Sequence, residues 1–117
     1  MFFDPGQAVL QPGGRAELDK LAAALVELDK QIPKDIAWVL RVDGHTDVRP
    51  IASSQFPSNW ALSSARAISV VQYLIGRGIS PQRLVAAGFG EFQPLESGQG
   101  EEAFRRNRRI ELKLTER

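Results

Sequence analysis

The sequence contains no cysteine, so it offers neither a disulfide framework nor a thiolate for catalysis or metal binding. It also lacks a run of about 18 apolar residues, the length that a membrane-spanning helix requires. An excess of one charge is missing too, because 15 basic and 14 acidic residues leave a net charge of +1. This balance argues against a partner recognised mainly by electrostatics, such as nucleic acid.

The remaining composition is that of an ordinary globular domain. The chain has 117 residues, of which 43% are hydrophobic and 25% are charged. We expect one domain over residues 1–117, large enough to bury a single core. The chain opens abruptly on Met1-Phe2-Phe3, without the charged and apolar regions of a signal peptide. We therefore expect a domain excised from a longer, membrane-anchored protein.

Hydrophobic periodicity predicts two long amphipathic helices. The first covers residues 15–30. The second begins at Ser58 or Asn59, either of which can cap it, and ends near Gly76 and Gly78. Its predicted apolar stripe consists of Leu62, Ala65, Ile68, Val71, Leu74 and Ile75.

Four stretches are predicted to be strands. They cover residues 2–3, residues 36–43 up to a break at Gly44, residues 84–89, and residues 108–115. In the last strand, Ile110, Leu112 and Leu114 are predicted to point inward. Between the last two strands we predict only a helical turn near residues 101–103. Strands interleaved with two helices predict an α/β two-layer sandwich, in which a mixed β-sheet carries both main helices on one face.

Two opposite charges flank the loop between the second strand and the second long helix. Asp47 follows the strand end, where α/β folds gather ligand sites, and Arg66 lies about two turns into the helix. A carboxylate accepts an ammonium well, and a guanidinium grips a carboxylate with two hydrogen bonds. The pair can therefore hold a small zwitterion. From the spacing alone, a plain ion pair between the two side chains is the favoured alternative.

Two further patterns suggest other chemistry. Asp43, His45 and Asp47 alternate as metal ligands or a general base would. The chain has only one histidine, however, whereas transition-metal sites typically use a second one. The basic run at residues 105–109 would suit phosphates, yet it enters an alternating strand and has glutamates around it. We favour neither a metal site nor nucleic-acid binding.

Five motifs resemble, in order and spacing, those of the OmpA-like peptidoglycan-binding domain, over nearly the whole chain from Phe3 to Leu114. The first strand is shorter than in that family. The loop containing Arg49-Pro50-Ile51 is similar to that of MotB and its envelope relatives. The motifs are Gly44-His45-Thr46-Asp47, Asn59-x-x-Leu62-Ser63-x-x-Arg66-Ala67, Gly78-Ile79, Gly88-Phe89-Gly90-Glu91-x-x-Pro94 and Asn107-Arg108-Arg109-Ile110-Glu111.

The resemblance implies a non-catalytic, cofactor-free domain that binds peptidoglycan in the periplasm through the meso-diaminopimelate of the stem peptide. Asp47 would meet its ammonium and Arg66 its carboxylate. Thr46, Asn59 and Leu62 would shape the pocket, and Asn107 and Arg108 its third wall, with Arg108 preferred to Arg109.

The resemblance also bears on partners. The domain would anchor an envelope or stator-type complex to the wall and meet the membrane only through an upstream segment. Because MotB-like relatives act as dimers, a homodimer is expected to be compatible with wall binding. A dimerising protein–protein module with little wall binding is the alternative function.

Overall fold

The computed structural model describes residues 2–4, 6–51 and 55–117. Three strands form one mixed sheet in the order β2-β1-β3, with β2 parallel and β3 antiparallel to β1. The predicted α/β class and mixed sheet are therefore confirmed. The elements in chain order are α1 (Pro12–Gln31), β1 (Trp38–His45), α2 (Asn59–Gly76), a 3-10 turn (Pro81–Arg83), β2 (Leu84–Gly88), α3 (Glu101–Asn107) and β3 (Arg109–Glu116).

The two long helices cover one face of this sheet. Strand β1 lies in the middle and sends alternate side chains toward the helices, as an alternating strand must. None of the described helices is long and apolar enough to span a bilayer. The core where both helices meet the sheet contains Leu18, Ala22 and Leu25 from α1, Trp38, Leu40 and Val42 from β1, and Ala67, Val70 and Leu74 from α2.

Helix α2 begins where the sequence predicted, but its buried face is different. The Ser58 hydroxyl accepts a hydrogen bond of 3.1 Å from the Ala61 amide and so caps the helix. The predicted stripe is wrong at Ile68 and Ile75, which are 46% and 38% exposed. The buried face also includes polar side chains. It consists of Asn59, Leu62, Ser63, Arg66, Ala67, Val70 and Leu74.

Gly44 does not end its strand, contrary to prediction, because β1 continues to His45. A Cβ at Gly44 would collide with the Ser63 carbonyl, and one at Gly88 would collide with Ser64. Both glycines therefore let the first turns of α2 approach the ends of β1 and β2. This close approach places α2 beside the loop that leaves β1.

The first predicted strand and part of the last are also wrong. Residues 2–3 form no strand; the Phe2 carbonyl instead accepts a 2.8 Å hydrogen bond from the Gln11 amide at the start of α1. In β3, only Ile110 packs against the core, whereas Leu112 and Leu114 are 37% and 51% exposed. These leucines are exposed because α2 packs over β1 and β2 and not over β3, which lies at the edge of the sheet.

Candidate ligand-binding cleft

A cleft of about 280 Å³ opens beside the loop that follows β1. Its walls come from this loop, from the first turns of α2 and from the end of α3, with Gly6 at one side. Asn107, the seventh predicted site residue, does not line it, whereas Arg49 does. The structure brings six predicted site residues together here: Thr46, Asp47, Asn59, Leu62, Arg66 and Arg108.

The carboxylate at the centre of the cleft belongs to Asp47, which is only 5% exposed. It accepts hydrogen bonds from the Arg49 amide at 2.9 Å, from Arg49 Nε at 3.1 Å and from Arg49 Nη2 at 2.6 Å. Arg108 Nη1 adds a fourth at 3.0 Å. Burial raises the pKa of Asp47, but these bonds to the charged form outweigh burial and hold the pKa below 3.8. Asp47 is therefore ionised at neutral pH.

Thr46 and Asn59 hold the main chain on both sides of this carboxylate. The Thr46 amide donates to the Gly90 carbonyl at 2.9 Å, and its hydroxyl donates to the Asp47 carbonyl at 3.0 Å. Asn59 Nδ2 donates to the Arg49 carbonyl at 3.0 Å and approaches the Asp47 carbonyl at 3.4 Å. The loop backbone is thus held at residues 46, 47 and 49. Leu62, 4% exposed, adds an apolar wall.

The Arg66 guanidinium is buried on the α2 side of the cleft, with the residue 6% exposed. Its Nε donates to the Gln7 carbonyl at 2.8 Å and its Nη2 to the Asp4 carbonyl at 3.0 Å. Burial lowers the pKa of Arg66, and the positive charge of Arg108 acts in the same direction, while Asp47 opposes both. Arg66 nevertheless stays charged, as arginine does in proteins.

No hydrogen bond or ion pair joins Asp47 to Arg66 in the part of the chain that the structure describes. The alternative of a plain ion pair between them is therefore wrong. Each side chain has other partners. Asp47 is bound by Arg49 and Arg108, and Arg66 donates to two main-chain carbonyls. Both nevertheless face the same cleft.

The Asn-Arg-Arg stretch, which starts at the last residue of α3, sends its three side chains to different partners. Arg108 reaches Asp47 in the cleft, whereas Arg109 donates to Glu111 and to the Gln93 carbonyl. Asn107 is 2% exposed and bonds the main chain at residues 95 and 96. The preference for Arg108 over Arg109 agrees with this geometry. The expected place of Asn107 in the cleft wall does not, because its amide oxygen and nitrogen bond the neighbouring loop.

Arg49 is the charged cleft residue that the sequence reasoning missed as a site residue. It entered only as part of a loop motif. A signal was present, because an arginine two residues after an aspartate can fold back and bind it with both ends of the guanidinium. The guanidinium of Arg49 also lies 4.5 Å from the ring centroid of Phe104.

Positive charge predominates in the cleft. Three guanidinium groups, from Arg49, Arg66 and Arg108, surround the single carboxylate of Asp47. Glu101 lies at the rim, 3.8 Å from Arg49 and 3.6 Å from Arg108, with a side chain that is 75% exposed. Such a site suits a ligand that brings a carboxylate to the buried Arg66 and an ammonium to Asp47.

Asp43, His45 and Asp47, which alternate in the sequence and were not favoured as a metal site, do not form one cluster. Asp43 and His45 instead gather with Glu111, with possible ligand atoms within 4.8 Å of one another. Arg41 binds Asp43 at 2.8 and 2.9 Å, and Lys113 lies 3.8 Å from it. A divalent cation here would have to compete with charges that already neutralise the carboxylates.

The arginines of the basic run are also paired within the protein. Arg105 binds Glu102, Arg106 lies 3.2 Å from Glu96, and the two arginines that follow Asn107 bind Asp47 and Glu111. The run therefore does not present a row of unpaired charges suited to phosphates.

The fold and the cleft define a small α/β domain with a cleft of charged side chains at the carboxyl end of its central strand. The family model for the OmpA family matches residues 2–108, and the chain belongs to that family. It is 33% identical over 118 residues to Motility protein B of Bacillus subtilis (strain 168), covering 100% of this chain and 42% of that protein. The chain spans about half the length, or less, of the curated relatives it matches.

Solved structures agree with this membership. A MotB-like protein from Desulfovibrio vulgaris superposes with a TM-score of 0.85 at 32% identity, covering 99% of this chain and 70% of that one. The peptidoglycan-associated lipoprotein from Burkholderia pseudomallei shares the fold, with a TM-score of 0.78 at 24% identity, covering 97% of this chain and 87% of that one. The chain is thus an OmpA-like domain of the MotB type.

Proposed function

We propose that this domain binds peptidoglycan non-covalently and without catalysis, by recognising the meso-diaminopimelate side chain of the stem peptide. One observation carries the proposal. A buried carboxylate, Asp47, and a buried guanidinium, Arg66, face one cleft without pairing with each other. Two opposite charges held in this way are complementary to a ligand group that carries both an ammonium and a carboxylate.

The two charges act together on such a ligand. The ammonium meets Asp47, and the carboxylate meets Arg66, with Arg108 close enough to share its charge. Each contact alone is weak in water, because the dielectric constant is high and both groups are well hydrated. Because Asp47 and Arg66 are only 5% and 6% exposed, the pair fixes both the charge and the orientation of the ligand.

The similar proteins support this assignment. The Burkholderia pseudomallei protein with the same fold is named for its association with peptidoglycan, and the Bacillus subtilis relative is a motility protein. We place the domain in the periplasm, where it anchors an envelope or stator-type complex to the wall. The membrane anchor would lie in a part of the protein outside this sequence.

Co-sedimentation with purified sacculi that contain diaminopimelate tests the proposal. Asp47→Asn and Arg66→Lys are each expected to weaken binding about tenfold or more, because each removes charge-assisted hydrogen bonds to the ligand. Lysine is preferred to alanine at position 66, since Arg66 also holds the main chain at residues 4 and 7. Lysine keeps the charge and loses the two-pronged grip.

Matched controls separate binding from folding. Asp43→Asn alters another buried aspartate of the same segment, on the other face of the sheet. Arg83→Lys alters another arginine that donates to main-chain carbonyls, those of Trp38 and Ile36. Both controls should sediment like the wild type once folding has been checked by circular dichroism. Wild-type sedimentation by Asp47→Asn or Arg66→Lys would refute the proposal.

A second comparison tests the carboxylate contact alone. In a wall where lysine replaces diaminopimelate, the side-chain ammonium remains but the carboxylate is missing. We expect the wild-type domain to bind such sacculi about tenfold more weakly, because Arg66 then has no anionic partner. Equal binding to both walls would argue against the assigned role of Arg66.

A further inference from the structure

The carboxylate that is proposed to meet the ligand's ammonium already holds a cation. Arg49 donates to both oxygens of Asp47, at 3.1 Å through Nε and at 2.6 Å through Nη2. A ligand ammonium needs the same oxygens. Ligand and arginine therefore compete for one carboxylate.

Of the two arginines on Asp47, Arg49 is the one that can leave. Its side chain is 47% exposed, whereas that of Arg108 is 18% exposed. Moving Arg49 away from Asp47 takes an already half-hydrated guanidinium into water, at little cost in solvation. Moving Arg108 would require a larger rearrangement of the cleft wall.

The loop backbone would stay in place during such a movement. The Arg49 amide donates to Asp47 Oδ1 at 2.9 Å, and the Arg49 carbonyl accepts from Asn59 at 3.0 Å. These main-chain bonds do not depend on the guanidinium. Displacement is therefore a side-chain event within a fixed loop.

The displaced guanidinium has other side chains to contact at the rim of the cleft. It already lies 4.5 Å from the Phe104 ring centroid, and its Nη1 is 3.8 Å from Glu101. Both partners belong to α3, at the rim of the cleft. Arg49 can keep its aromatic contact and turn toward Glu101 when Asp47 is taken by another cation.

We propose that the Arg49 guanidinium holds the position in the cleft where the ligand's ammonium binds, and that the ammonium displaces it from Asp47. In the absence of ligand, Arg49 adds a second guanidinium to that of Arg108 on the buried carboxylate and so lowers the cost of burying its charge. It thereby lowers the affinity for ammonium-bearing ligands, because each must first break the Arg49 contact. This inference rests on the proposed function of the cleft.

Titration calorimetry of Arg49→Gln with a diaminopimelate-containing stem peptide tests the competition. Glutamine keeps the backbone bonds of the loop and removes the competing charge. We expect the affinity for the peptide to rise about two- to fivefold over wild type, as the loss of a half-exposed ion pair predicts. A peptide acetylated on the side-chain ammonium should show no such gain, because it cannot take the place of the guanidinium.

The chain offers a closely matched control in Arg41→Gln. Arg41 also binds an aspartate two residues away with both ends of its guanidinium, and its side chain is 37% exposed. The substitution removes the same charge from the other face of the sheet. It should leave the affinity unchanged, which separates competition at Asp47 from a change in overall charge.

A direct readout follows the arginine itself. In the wild type, the NMR signal of Arg49 Nε–H should move during titration toward its position in Asp47→Asn, and should not move with the acetylated peptide. If the wild type binds while this signal stays in place, or if Arg49→Gln binds no more tightly, the inference fails and the proposed function stands. If neither wild type nor Arg49→Gln binds the peptide, both fail.

Discussion

Two aspartates four residues apart in the chain make the same local contact in two different surroundings. Asp43 is bound by Arg41 and Asp47 by Arg49, each arginine two residues from its partner and each donating to both carboxylate oxygens. Asp43 lies within β1 and is 1% exposed on the sheet face away from the helices. Asp47 lies beyond the strand and lines the cleft.

The difference lies in what surrounds each pair. Around Asp43, the neighbouring strand β3 supplies Arg109, Glu111 and Lys113, and each charge of this cluster lies within 4 Å of an opposite one. Beside Asp47, the buried Arg66 lines the cleft and donates to main-chain carbonyls, with no acidic partner among the described residues. A buried cluster of mutually paired charges stabilises the fold, whereas a buried cation without an acidic partner beside a cavity is suited to a charged ligand.

The sharpest test of this contrast is Asp43→Asn, for which we expect a loss of about 2 kcal/mol in the free energy of unfolding. Breaking a buried ion pair typically costs roughly 3–5 kcal/mol, and the partly exposed partner of Asp43 reduces that figure. Urea denaturation measures the loss. Wall binding should persist, and a variant that stays stable but no longer binds would reverse the roles of the two aspartates.

His45, beside Asp43, provides a second test. It is 4% exposed, stacks on Phe89 at 5.0 Å, and neither ring nitrogen has a hydrogen-bond partner in the described part of the chain. Unpaired buried polar atoms cost about 1–3 kcal/mol. We expect His45→Phe to raise the free energy of unfolding by about 1 kcal/mol at pH 7, measured by urea denaturation. A loss of stability would show that the imidazole has a partner in solution.

The same substitution should change the response to acid. Burial lowers the pKa of His45 below 6.5, and the charge of Arg109 acts in the same direction. As the pH falls below 6.5 the unfolded chain takes up the proton first, so wild-type stability decreases until the lower folded pKa is reached. Denaturation curves of His45→Phe between about pH 7 and pH 5 should lack this component.

The smallest expected effect concerns wall binding over the same pH range. The pKa of Asp47 lies below 3.8, so its carboxylate stays charged at about pH 5. Sedimentation with sacculi should therefore be nearly unchanged between about pH 7 and pH 5, while stability decreases. A marked loss of binding by pH 5 would mean that a group with a higher pKa than Asp47 controls the cleft.

Local patterns in the sequence were sufficient for much of this fold. Alternation along residues 36–43 and the period of the two long helices predicted the layers and the mixed sheet, because each reflects one buried face. The predicted apolar stripe of α2 was wrong because the buried face of that helix is partly polar. Its buried face includes Ser63 and Arg66, whose polarity conceals the period, while the apolar Ile68 is exposed.

The motifs pointed to the cleft, since six of the predicted residues line it. They could not show which groups touch. Asp47 binds Arg108, 61 residues away, and Arg66 binds the carbonyl of Gln7, 59 residues away. Asn107 belongs to the same motif as Arg108, yet its amide holds a different loop.

The two long helices, the three strands of the sheet, the family and the identity of the charged residues follow from the chain alone, because they depend on neighbouring residues and on motif order. The partners of those charges depend on the folded arrangement. Only when α2 passes over Gly44 and Gly88 do the loop, the helix and α3 meet around one carboxylate. Burial there makes the balance of charge matter, since opposite charges interact strongly only where water is excluded.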